Sequence, residues 1–247
     1  MNDVTITGLL FLATYALIVS EKIHRTAAAL AGGLLMILFG FVSQEDAFHA
    51  IDLNVIFLLA GMMMIAAIMS ETGVFQWLAV KAVHMGKGQP IRIMIIMALI
   101  TAIASALLDN VTVVVLITPV ILFVASNLGG SPVPFLLSTV MASNIGGAAT
   151  IIGDPPNIII ASAAGIDFNT FLINMGPPAL IALGCYVVVL YFQFRNVLVV
   201  PADERKIVRE LHAENLIRDP KLLAQSLFVL ALVLLAFSLH SVIHLEP

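Results

Sequence analysis

The chain has 247 residues, of which 61% are hydrophobic and 11% are charged; its formal net charge is −4 and its mean hydropathy +1.09. Soluble domains carry about 25% charged residues, so this chain lacks the polar surface that a water-soluble protein needs. The composition therefore excludes a soluble domain and gives no indication of nucleic acid as a partner. It predicts an all-α integral membrane protein whose main partner is the lipid bilayer.

Apolar runs long enough to cross a bilayer recur along the chain, and a crossing helix needs about 20 such residues. The predicted spans cover residues 4–20, 27–42, 53–69 and 171–194, and a further one covers 222–244. Residues 71–92 are predicted to include a short amphipathic helix at the membrane interface, anchored by Trp77. The charged stretch 195–221 predicts an amphipathic surface linker.

Two apolar segments are interrupted by polar residues. In the first, 93–127, Asp109 and Asn110 separate two arms of about 16 residues, or about 24 Å each, which is shorter than the hydrocarbon core of about 30 Å. We therefore expect a re-entrant hairpin. The second, 134–164, contains the helix breakers Gly153, Pro155 and Pro156 and predicts a discontinuous helix.

The basic residues indicate how the chain is oriented. All 11 Lys and Arg residues fall in three loops, near residues 22–25, 81–92 and 195–221. The positive-inside rule predicts that all three loops are cytoplasmic. This sidedness requires one interrupted segment to return to its own side and the other to cross.

The first interruption carries a candidate ion site. A carboxylate near the bilayer centre costs several kcal/mol, so Asp109 is predicted to bind a cation or carry a proton, with Asn110 beside it. The alternative is that Asp109 caps the second arm. The Thr112 hydroxyl is a further candidate ligand.

The second interruption offers backbone and amide groups. Its candidate ligands are Asn144, Gly146, Gly147, Thr150, Asp154 and Asn157. Carbonyl groups of unwound helices suit Na⁺, whereas exposed N–H groups at a half-helix start suit an anion. Asp154 followed by Pro155 also has the pattern of a helix restart, so capping and binding are both open for Asp154. A sodium ion between Asp109, Asn110 and Asn144 is one possible arrangement.

At these residues the sequence resembles a known family. The similarity runs from about residue 47 to 172 and is strongest in the strings SETG at 70–73, LLDNVT at 107–112 and NIGGAATIIGDPPN at 144–157. These resemble the P-protein permeases, which belong with the arsenite permeases and NhaD-type sodium/proton antiporters of the ion transporter superfamily and contain a citrate transporter-like domain. The resemblance implies two inverted repeats, each giving a hairpin and a broken helix to one substrate site.

The chain contains only one such hairpin and one such broken helix. Residues 1–194 are predicted to form the N-terminal repeat, and residues 222–244 the first span of a second repeat that is missing. We therefore expect an N-terminal half, either a fragment or a chain that pairs with the missing half or with a second copy.

The predicted function is secondary active transport of a small ion, not catalysis. The substrate would be an anion or an oxyanion such as arsenite, or Na⁺ exchanged for H⁺; the coupling ion would be Na⁺ or H⁺, with no cofactor. No Lys or Arg lies near either interruption, which disfavours direct capture of a multivalent organic anion.

Two other functions compete with this one. A passive, chloride-like anion channel could use the same backbone groups. An intramembrane aspartyl protease is a remote alternative, because Leu108 stands where that class has Tyr and Ile151 where it has Gly.

Overall fold

The computed structural model describes residues 3–128, 130–196, 198 and 216–243. Over these ranges the regular structure is entirely helical, which confirms the all-α prediction. The chain divides into two compact units, Met1–Leu53 and Asn54–Pro247. Most of the predicted linker at 195–221 lies outside the described residues.

The first unit contains three helices, α1 (Asp3–Ser20), α2 (Arg25–Leu38) and α3 (Gln44–His49). α1 packs on α2, where a side chain at Gly32 would overlap the Thr14 side chain. α2 ends earlier than the predicted span at 27–42, because the chain turns at Gly40 with a φ of +74°. The short α3 was not predicted; the Ser43 hydroxyl caps it by accepting a hydrogen bond from the Asp46 N–H.

The second unit is a bundle built around two interrupted helical segments. Its helices are α4 (Leu53–Glu71, whose first residue ends the first unit), α5 (Val74–Met85), α6 (Pro90–Leu107), α7 (Asn110–Asn127), α8 (Val133–Gly147), α9 (Pro155–Ala164), α10 (Phe168–Phe194) and α11 (Pro220–Ile243). α6 and α8 form the most extensive helix pair, and α7 and α10 pack against them. The helices that lead into the two interruptions, α6 and α8, are therefore the central pair of the bundle.

Six helical stretches of the described chain are long and apolar enough to cross a membrane. They are Asp3–Ser20, Gln44–Glu71, Pro90–Leu107, Asn110–Asn127, Phe168–Phe194 and Pro220–Leu239. Large apolar side chains on their outer faces are exposed, including Phe57, Phe123 and Phe228. This is the surface of a multi-span helical membrane protein.

The two arms of the predicted hairpin are α6 and α7, with 18 residues each. At 1.5 Å per residue each arm is about 27 Å long, close to the thickness of the hydrocarbon core. Arms of this length are compatible with two helices that each cross the membrane and with a hairpin that enters and leaves on the same side. The re-entrant hairpin therefore stays a prediction. The discontinuous helix has the predicted form, with α8 and α9 separated by residues 148–154.

The amphipathic helix expected within 71–92 exists as α5, but its apolar face lies inside the bundle. Phe75, Ala79 and Val83 are buried, and α5 packs against α6 and α7. Lys81 lies over the Trp77 ring at 5.5 Å on the outer side. Amphipathy predicts a helix at the membrane interface, but the same pattern occurs when a helix packs its apolar face against other helices, as α5 does.

The described end of the charged linker docks on the turn between α4 and α5. The Arg218 N–H donates to the Thr72 carbonyl oxygen at 2.8 Å. Gly73 has a φ of +82°, and a side chain there would overlap the Leu216 carbonyl. Leu216 and Arg218 therefore lie at the α4–α5 turn; the cytoplasmic placement of that end of the bundle stays a prediction.

Candidate functional site

The chain between α6 and α7 is extended at Leu108 and Asp109, which places Asp109 directly before the first turn of α7. Asp109 is buried, with 2% of its surface exposed. Its Oδ1 accepts a hydrogen bond from the Thr112 N–H at 3.0 Å. The carboxylate therefore caps α7 through one oxygen, and Thr112 contributes its backbone to this contact.

The other Asp109 oxygen has no partner. Among the described residues, four buried side-chain oxygens lack a hydrogen bond, and two of them, Asp109 Oδ2 and Asn110 Oδ1, are on neighbouring residues of this turn. The other two belong to Gln76 and Thr139. Buried polar atoms are nearly always paired, so the unpaired acceptors on two consecutive residues make this turn unusual.

Three glycines permit close backbone contacts at the interruption of the α8–α9 segment, two of them with α6. A side chain at Gly146 would overlap the Ala102 carbonyl. At Gly147 a Cβ would lie 2.6 Å from the Gly153 oxygen, and at Gly153 it would lie 2.7 Å from the Ser105 oxygen. The glycines that the sequence marked as candidate ligands and breakers thus have a steric role.

Hydrogen bonds join the tip of the α6–α7 turn to the interruption. The Asn110 N–H donates to the Gly153 oxygen at 3.0 Å, and the Asn110 amide donates to Asn144 Oδ1 at 3.2 Å. The Thr150 hydroxyl donates to the Ala106 oxygen at 2.6 Å and accepts from the Gly153 N–H at 3.1 Å. Four predicted site residues are therefore in one network.

Asn157 holds the unwound segment together. Its amide nitrogen donates to the carbonyl oxygens of Gly147 and Thr150, at 3.1 and 2.9 Å. Those carbonyls would otherwise lack the partners that a continuous helix supplies. The Asn157 amide N–H groups thus stabilise the break.

Asp154 differs from Asp109 in how it starts its helix. It occupies the N-cap position of α9 with Pro155 in the first turn, yet its side chain makes no capping hydrogen bond. The carboxylate is partly exposed and interacts electrostatically with Asp109. Asp154 therefore begins α9 through its backbone, as the helix-restart pattern predicts. Its carboxylate does not cap the helix, so it can make other contacts.

Several residues that the sequence did not mark contribute to this network. The Ser105 hydroxyl donates to the Ser143 oxygen at 2.7 Å, and the backbone of Ala102 and Ala106 faces the break. The Ser105 hydroxyl stands out in the sequence only as a polar residue near the end of the apolar α6. Backbone carbonyls carry no signal in the sequence.

The family of the chain follows from comparison with known proteins. Residues 15–247 match the model of the citrate transporter family. The chain is 45% identical over 251 residues to the uncharacterized transporter Rv2685 of Mycobacterium tuberculosis and 43% identical to the 46 kDa membrane protein of Mycobacterium leprae, in each case over 100% of this chain and 58% of the relative. It is 38% identical to the human P protein, over 87% of this chain and 27% of that protein.

The chain thus spans 58% of the length of the mycobacterial relatives that it matches. The match to the family model covers the two interruptions and the helices around them. This chain is an integral membrane protein that belongs to the citrate transporter family.

Proposed function

We propose that the chain forms part of an ion-coupled secondary transporter, with the coupling cation, Na⁺ or H⁺, bound where the α6–α7 turn meets the α8–α9 break. The observation that carries this proposal is the pair of buried, unpartnered oxygens of Asp109 and Asn110. Leaving a buried acceptor unpaired costs about 1–3 kcal/mol. A cation or a proton at these oxygens would remove that cost.

The charge distribution supports a cation over an anion at this point. No Lys or Arg occurs between Arg92 and Arg195, whereas Asp109 and Asp154 both lie at the interruptions. Their negative charges repel each other, and the repulsion is strong where water is scarce. A bound cation or proton would reduce the repulsion between Asp109 and Asp154. Ion binding would therefore change the energy of the arrangement in which the α6–α7 turn contacts the α8–α9 break.

The proposed substrate is a small ion, either an oxyanion of low charge such as arsenite or the partner ion of a Na⁺/H⁺ exchange. The N-termini of α7 and α9 each offer about half a positive charge at the interruptions, enough for a small or neutral oxyacid. Citrate, which the family description names, carries several negative charges and would require basic groups that neither interruption has. Such groups would have to come from a region corresponding to the part of the relatives' length that this chain does not span, or from a second copy.

Transport in proteoliposomes tests this proposal. A full-length mycobacterial relative and this chain would be reconstituted side by side, and internal pH followed while Na⁺, Li⁺ and anion gradients are imposed. We expect gradient-driven pH change that Asp109→Asn abolishes and Asn144→Ala reduces, both changes being made at the matching positions of the relative. Glu71→Gln is the matched control, since Glu71 is an exposed carboxylate outside the site.

Two outcomes would overturn the proposal. One is unchanged ion dependence in well-expressed Asp109→Asn protein. The other is the appearance of unitary current steps without coupling, which would indicate an anion channel.

A further inference from the structure

A cavity lined by other residues than Asp109 and Asn110 is a second feature of the bundle. It is a cavity of about 610 Å³, open on one side, between the first turns of α4, the length of α9 and the start of α10. Its walls are mainly apolar and include Phe57, Leu58, Ile158 and Ala161. This volume lies within the range of pockets that hold small molecules, roughly 300–1,000 Å³.

One wall of the cavity is fixed independently of any occupant. Phe168 and Phe237 stack with ring centroids 5.9 Å apart. Next to them the Asn169 amide donates to the Ser238 carbonyl oxygen at 2.7 Å, which joins α10 to α11. The cavity is therefore a built feature of the bundle.

The charged group of the cavity lies where α9 turns into α10. Asp167 is the one formally charged residue among the described residues that line it. Its oxygens accept from the hydroxyl and the N–H of Thr170, at 2.6 and 3.0 Å, and these bonds lower the pKa of Asp167. The turn thus presents a carboxylate that is ionised at neutral pH beside an apolar channel.

We propose that this cavity binds one phospholipid with a primary-amine head group, its acyl chain along α9 and its ammonium group at Asp167. Three of the helices that line the cavity, α4, α10 and α11, belong to stretches that are long and apolar enough to cross a membrane, so a lipid acyl chain is the apolar occupant that this setting favours. An acyl chain matches the apolar walls, and an ammonium group matches the single negative charge through charge-assisted hydrogen bonds. The lipid would lie against Ile151 and Ile158, and so against both the break and the helix that follows it.

Quenching by brominated lipids tests the proposal. Trp77 is the single tryptophan, so a Trp77→Phe background allows a reporter at Phe237→Trp, a half-buried residue of α11 that lines the cavity, and a second at Phe228→Trp on the exposed face of the same helix. Matched vesicles would contain phosphatidylethanolamine or phosphatidylglycerol with the same brominated chains. We expect at least threefold stronger apparent binding of the ethanolamine lipid at the Phe237→Trp reporter and no preference at the Phe228→Trp reporter.

Two capping variants provide the control. Asp167→Asn keeps an acceptor for the cap and removes the charge, and it should abolish the preference. Asp219→Asn makes the same change at the cap of α11, where Asp219 accepts from the Lys221 and Leu222 N–H groups, and it should leave the preference intact. Native mass spectrometry of wild-type and Asp167→Asn protein makes the same comparison without a tryptophan reporter. We expect the variant to retain fewer ethanolamine lipids than wild type.

The proposal is wrong if the cavity reporter shows no head-group preference, or if the two capping variants behave alike. It is also wrong if brominated lipid quenches the exposed reporter but never the cavity reporter, because the cavity would then be filled by protein.

Discussion

Asp109 uses its two carboxylate oxygens in different ways. Oδ1 accepts from the Thr112 N–H and caps α7, while Oδ2 is buried without a partner beside the unpaired Asn110 oxygen. The sequence analysis treated capping and ion binding as alternatives for this residue. The geometry makes them compatible, because a carboxylate has enough lone pairs for both.

Thr150 is the residue that ties the break to α6, and its removal should be costly. Thr150→Val keeps the shape but deletes the bond to the Ala106 oxygen and leaves the Gly153 N–H without its acceptor. We expect a loss of about 1–3 kcal/mol in stability, the usual cost of orphaned buried groups. Thermal unfolding in detergent measures it.

Thr118→Val is the matched control, because the Thr118 hydroxyl donates to the Val114 oxygen of its own helix. Loss of such a local hydrogen bond has little effect on the stability of a helix. Equal destabilisation by the two variants would show that the Thr150 bonds are not what holds the break to α6.

At the scale of helices, the close approach of α6 and α8 positions the interruption. Small residues permit such contacts in membranes, where lipid is as apolar as the helix surface and only close packing favours association. Gly146 lies on the Ala102 carbonyl, and Ser105 bonds Ser143 in the same contact. The site therefore depends on the packing of this helix pair.

Gly146→Ala should separate α6 from α8. We expect a destabilisation of about 1–3 kcal/mol, typical of overpacking, together with weaker ion-dependent transport, since the break moves away from Asp109. Stability and transport would be measured on the same preparations. Gly184→Ala, at a helical glycine with nothing within 4 Å, should be neutral or stabilising by up to about 1 kcal/mol; a similar loss there would contradict the argument from close packing.

The start of α10 should respond to acid. The Thr170 hydrogen bonds lower the pKa of Asp167 in the folded protein, so its cap stabilises the fold at pH values above the ordinary carboxyl pKa of about 3.9. That stabilisation is lost as the pH falls through the lowered folded value. Asp167→Asn cannot titrate, so its thermal stability should fall less than that of wild type between pH 6 and pH 3; parallel curves would show that the cap contributes nothing that depends on charge.

For the whole molecule, the sequence predicted the features that interrupt an apolar pattern. The break at 148–154, the turn at Asp109 and most membrane-length helices follow from polar, Gly and Pro residues in apolar surroundings. The inward face of α5 could not be predicted, because apolar residues cover both lipid-facing and core-facing surfaces in a membrane protein. The contacts that the Ala102 and Ala106 carbonyls make with Gly146 and Thr150 could not be predicted either, because they depend on which helices pack together.

The most direct test of the central claim is sodium binding to this chain in lipid nanodiscs, read as the shift in its melting temperature when NaCl replaces choline chloride at constant ionic strength. A ligand that binds the folded state raises that temperature. We predict that Na⁺ stabilises the wild-type chain and that Asp109→Asn, which keeps the cap, removes the Na⁺ effect; proton coupling at the same carboxylate would appear as a weaker Na⁺ effect at lower pH. An equal sodium shift in wild type and Asp109→Asn would contradict a cation site at the unpaired oxygens.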